Sequence, residues 1–139
     1  MIGLVHGAVG ATCGALLRRR GVTVAAALLS HIVVDAIKHE EPLDKGGRPR
    51  PAVLVLDAVL LGLAWLVVCA RHGAFSPQSI GAVAACVPDL DHFLLGSVVH
   101  KPLPHGRWPS GKIGVWQQFS IGTVAWLALL DCPSAADDA

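Results

Sequence analysis

The chain has 139 residues, of which 53% are hydrophobic and only 15% charged, with a net charge of +1. An ordinary soluble domain carries about 25% charge, so the composition points away from a water-facing enzyme. The near-neutral balance gives no basic footprint, and no nucleic acid is expected as a partner. Cys13, Cys69, Cys86 and Cys132 lie far apart with no CxxC among them. They read as packing residues, not as a disulfide framework or a zinc knuckle.

Five apolar segments follow one another, at about 2–17, 21–38, 51–70, 78–99 and 113–130. Each is too long for an ordinary strand, and several approach the ~20 residues that span a bilayer. A backbone in lipid must satisfy its own polar groups, which favours helices. The expected fold is therefore all-α, a single membrane-embedded domain over 1–139. It would be a five-helix transmembrane bundle with a metal site near one membrane face. The polar stretch 39–52 is its loop, and 133–139 is a frayed tail. Gly3 and Gly7, and Gly10 and Gly14, are spaced to let another helix approach closely.

Segment two holds the pattern that most needs an explanation. His31, Asp35 and His39 are four residues apart. Each step of four turns ~40° and rises ~6 Å on a helix, so the three form one stripe. Their neighbours Ile32, Val33, Val34 and Ile37 are apolar, and unpaired polar groups are costly in such surroundings.

Alternating topology gathers the other ionisable residues. His6 opens segment one, Asp57 opens segment three, and Asp89, Asp91 and His92 end segment four. His100 and His105 follow in the next loop. All fall at the face that receives Asp35 and His39. Ionisable groups in membrane helices are expensive and mark function. Mixed imidazole and carboxylate donors suit zinc first, with manganese or iron as alternatives. His31 and His39 would lie ~12 Å apart on a continuous helix, too far to hold one ion side by side. Either two ions ~3.5–4 Å apart sit between them, or one histidine orients a ligand. So many candidates are more than a closed structural site needs.

Ser30-His31-x-x-x-Asp35-x-x-x-His39, then Val87-Pro88-Asp89-Leu90-Asp91-His92, then His100 and His105, resemble the bacterial membrane-bound metal-dependent hydrolases. That family in turn resembles the zinc-dependent phospholipase C and P1 nuclease group. The resemblance covers about residues 1–110 and implies metal ligation by His31, Asp35, Asp89 and His92. Lys38 stands where the family pattern would have Pro. Membrane phosphatases of the phosphatidic-acid type do not fit. Pro109-Ser110-Gly111 is followed by Lys112 instead of His, and His31-x-x-x-Asp35 precedes that element.

The expected function is a multi-pass hydrolase of the bacterial inner membrane. It would cleave a phosphoester or lipid-type substrate with a metal-activated water. His6, His31, Asp35, His39, Asp57, Asp89 and His92 are the candidate metal ligands. Asp91, His100 and His105 are the candidate proton-transfer groups. Lys101 and Arg107 would hold an anionic headgroup or phosphate, with Arg48 and Arg50 on the same face. Two other classes share these features: an ion or proton transporter with buried His and Asp, and a structural membrane protein stabilised by a metal. Asp57 is expected beside the stripe, as a ligand or as acceptor of a ligand histidine's second N–H.

Overall fold

Two prolines and a serine set the helix starts in the middle of the chain. Pro51 and Pro77 occupy first-turn positions, where a missing N–H is harmless. Ser76 Oγ accepts the Ser79 N–H at 3.1 Å and caps the second of them. In this computed structural model, residues 1–37, 39–40, 50–89 and 113–131 are described. They form α1 (Gly3–Leu17), α2 (Arg20–Ala36), α3 (Pro51–His72), α4 (Pro77–Cys86), a 3-10 turn (Val87–Asp89) and α5 (Val115–Leu130). The all-helical class is as expected. Arg18, at φ 55°, reverses the chain between α1 and α2, and its N–H reaches the Gly14 carbonyl at 3.1 Å.

Helix α1 is the centre of the molecule. It buries Leu4, Val5, His6, Gly7, Ala8, Gly10, Ala11 and Gly14, and it packs on each of the other described α-helices. A Cβ at Gly10 would run into the Gly81 carbonyl oxygen, and one at Gly14 into Pro77. The α1–α4 crossing is therefore backbone against backbone, as small-residue spacing allows. Gly10→Val is expected to destabilise the protein by about 3 kcal/mol, the upper end of the usual overpacking cost, because the neighbouring atoms are backbone and cannot turn aside. Gly62→Ala, where a Cβ meets nothing within 4 Å, should instead stabilise by about 0.5–1 kcal/mol. Denaturant titration of the two variants checks the contrast.

The most apolar helix is the least buried. Asp57 and Val68 are the buried residues of α3, while Val55, Val59, Leu63 and Leu66 are each more than half exposed. A helix that is apolar all round belongs in a core or in a membrane. The most apolar window of α3 has mean hydropathy 2.6 and only 11% of it is buried. At 22 residues it is ~33 Å long, enough to cross a bilayer.

The five spans read from the apolar runs are not what the structure supports. Among the described residues, α3 is the one helix long and apolar enough to cross a membrane. Helices α1, α2 and α5 have 15, 17 and 16 residues. Within its described part, up to residue 89, the fourth run gives the α-helix Pro77–Cys86 of 10 residues and then the 3-10 turn Val87–Asp89. The chain tightens at Val87-Pro88, since a proline cannot donate the next helical hydrogen bond.

Candidate metal centre

Four side chains from three parts of the fold meet beside α1. His6 comes from the second turn of α1. His31 and Asp35 come from the last turns of α2, one above the other at four-residue spacing. Asp89 ends the 3-10 turn that follows α4. His6 and His31 are 1% exposed and Asp35 4%. The two imidazoles stack, with ring centroids 4.1 Å apart and planes 21° from parallel.

Each carboxylate spans both rings. Asp35 Oδ1 accepts the His6 Nε2–H at 3.1 Å, and its Oδ2 lies 3.1 Å from His31 Nε2. Asp89 Oδ2 lies 3.7 Å from His6 Nε2, and its Oδ1 3.7 Å from His31 Nε2. Asp35 Oδ1 also accepts from the Met1 ammonium at 2.6 Å.

The tautomer of His31 follows from its other nitrogen. Nδ1–H donates to the Ala85 carbonyl at 2.8 Å. In the neutral ring, Nε2 therefore carries a lone pair, and Nε2 has no hydrogen-bond donor opposite it. A lone pair facing carboxylate oxygens at 3.1 Å is repulsive until a proton or a metal ion lies between them. Metal-ligating histidines fix the second ring nitrogen on a carbonyl in this way.

The donor set fits a transition-metal ion. Single donor atoms of His6, His31 and Asp89 all lie within 4.8 Å of one another. Around zinc, bonds of 2.0–2.2 Å place tetrahedral ligand atoms about 3.3–3.6 Å apart. The Asp89 oxygens lie 3.7 Å from both Nε2 atoms, close to that edge. Two imidazoles with carboxylate favour zinc, manganese or iron over calcium and magnesium. The group could hold a metal ion.

The remaining sequence candidates are placed as follows. His39 lies beyond α2, because Ile37 is extended at φ −69°, ψ 129° and ends the helix. Its Nδ1–H donates to the Ile37 carbonyl at 2.6 Å, and it does not join the group around His31. The three-residue stripe is thus two residues long. Among the described residues, His6 and not His39 stands with His31 and Asp89. Asp57 Oδ2 accepts the Gly3 N–H at 2.8 Å and Oδ1 the Leu4 N–H at 2.9 Å. It holds the start of α1, one turn before His6. Asp91, His92, His100, His105, Lys101, Arg107 and Arg48 lie outside the described residues. Arg50 sits at the start of α3, 4.0 Å from Glu40.

Gln118 is a positioning residue that sequence reading passed over. It is fully buried. Its Oε1 accepts the Ile2 N–H at 3.1 Å, and its Nε2 donates to the Glu40 carbonyl at 2.7 Å. Together with Asp57 it fixes the N-terminal end of α1, whose first N–H groups have no partner within the helix. The signal was available: an amide inside an apolar helix needs partners as much as a carboxylate does.

No protein-family model, curated protein or solved structure matches the chain.

Proposed function

We propose that the chain is a membrane-embedded, metal-dependent hydrolase acting on a phosphoester or lipid-type substrate. The observation that carries this reading is the meeting of His6 Nε2, His31 Nε2 and the Asp89 carboxylate, with His31 Nδ1 held by Ala85. Zinc is the first choice of ion by donor type. A divalent ion in such a group supplies a water acidified to around neutral pH. His6 and His31 would hold the ion, and the Asp35 carboxylate, 3.1 Å from each Nε2, would offset its charge. The resemblance of His31-x-x-x-Asp35 and Pro88-Asp89-x-Asp91-His92 to bacterial membrane-bound metal-dependent hydrolases points the same way.

An open side separates this reading from a purely structural metal. The Asp89 side chain is 22% exposed, against 0–6% for those of His6, His31 and Asp35. Catalytic sites keep such an accessible position, and structural sites close it. A transporter would need polar groups continuing past the site. Beyond His6, α1 instead presents Gly10 and Gly14 to the backbone of α4. For the membrane, the support is the outward apolar face of α3. Exposed Trp116 at the start of α5 and Phe75 after α3 suit the two interfacial aromatic belts.

The test is elemental analysis of protein purified in detergent, then assay on soluble phosphodiesters and on phospholipid vesicles. Zinc-dependent hydrolysis that is lost in His31→Ala is the expected result. Bound metal without hydrolysis would make the ion structural. Proton or metal flux across vesicles without hydrolysis would make the protein a transporter.

A further inference from the structure

We propose that Pro88 is a positioning residue for the metal centre, acting through the Ala85 carbonyl to set the tautomer of His31. The proposal rests on the metal-site reading above and names the device that prepares it.

The reasoning begins at the end of α4. A helix leaves its last carbonyls without backbone donors. After Cys86 the chain continues as the 3-10 turn Val87–Asp89. A 3-10 turn pairs the carbonyl of residue i with the N–H of residue i+3. For Ala85 that donor is residue 88, and Pro88 has no N–H. The Ala85 oxygen is left for a side chain, and His31 Nδ1–H takes it at 2.8 Å. His31 comes from α2, so the contact also ties α2 to the end of α4. With Nδ1 as the donor, the neutral ring turns its Nε2 lone pair towards Asp89 and Asp35.

The same turn aims Asp89. A 3-10 turn advances 120° per residue and an α-helix 100°, a difference of roughly 60° over three residues. Continued α-helix would swing Asp89 away from the two Nε2 atoms and offer its N–H to Ala85. One proline thereby serves two of the three converging donors. It frees the carbonyl that orients His31, and it brings Asp89 to face His6 and His31.

The experiment is ¹⁵N NMR of histidine-labelled, metal-free protein, with Pro88→Ala beside the wild type. Wild-type His31 is expected as the Nδ1–H tautomer. In Pro88→Ala the regained N–H competes for Ala85, and His31 shifts towards the Nε2–H tautomer. Zinc affinity, read by competition with a chromophoric chelator, falls about 10- to 100-fold, the range for partners that orient a ligand. A proline that merely shapes the helix end would lower the melting temperature and leave the tautomer unchanged. Wild-type His31 in the Nε2–H form overturns the proposal, whether or not the variant folds. So does Pro88→Ala with unchanged His31 shifts. If the wild type takes up no zinc, the metal reading fails, and the tautomer measurement still decides the role of Pro88.

Discussion

His6→Ala, His31→Ala and Asp89→Ala should each lower bound metal at least about tenfold, while His39→Ala and His72→Ala leave it unchanged. The first three remove the donor atoms that converge within 4.8 Å. His39 bonds to its own loop at the Ile37 carbonyl, and His72 ends α3 at the opposite end of that helix from Asp57. A ligand that binds the folded state alone adds about 2.7 kcal/mol at 100 times its dissociation constant. Zinc should therefore raise the melting temperature of the wild type and of the two control variants, and not that of His31→Ala. Elemental analysis and thermal scans with and without zinc supply both readouts. Equal metal content in all five proteins would remove the site from α1, α2 and the turn after α4.

Part of this site was readable from residue spacing. His31 and Asp35 stand on one helical face, and the ends of alternating segments bring His6 and Asp89 to the same side. Those relations need only a 3.6-residue period and antiparallel neighbours. What spacing does not contain is where a helix stops. Nothing in Ile37-Lys38-His39 is a breaker, yet α2 ends at Ala36. The period therefore carried His39 one turn too far. The change from α-helix to 3-10 turn after Cys86 does carry a local mark, Pro88, which has no N–H to donate.

Hydrophobicity alone misjudged the architecture in another way. It marks α3 as the strongest segment, and in a water-soluble fold that helix would be central. Here the central helix is α1, chosen by small residues. Gly10 and Gly14 permit close approach, and close approach is what makes a helix central when apolar surface can also face lipid. The ring stacking of His6 on His31 and the Ala85 hydrogen bond depend on how three helices cross. No pattern along a single segment encodes them.

Asp57 offers the sharpest separation between a ligand and a support. Asp57→Ala should destabilise the protein by about 2–4 kcal/mol and weaken zinc about tenfold, and Asp57→Asn should lose far less of both. The carboxylate accepts the Gly3 and Leu4 N–H groups at 2.8 and 2.9 Å and is 6% exposed. Alanine leaves two N–H groups at the start of α1 without acceptors, at about 1–3 kcal/mol for each buried group. The first turn of α1 then loosens, and His6 follows it one turn on. An asparagine oxygen can still accept from those groups, so the helix start and His6 stay in place. A metal ligand would behave differently, because a neutral amide is a poor substitute for a carboxylate on zinc. If Asp57→Asn loses metal as completely as Asp57→Ala, Asp57 is a ligand and the capping role is secondary. Near-normal zinc affinity in Asp57→Asn with a clear loss in Asp57→Ala assigns it to the support of α1. Chelator competition on both variants, beside their unfolding curves, decides between the two.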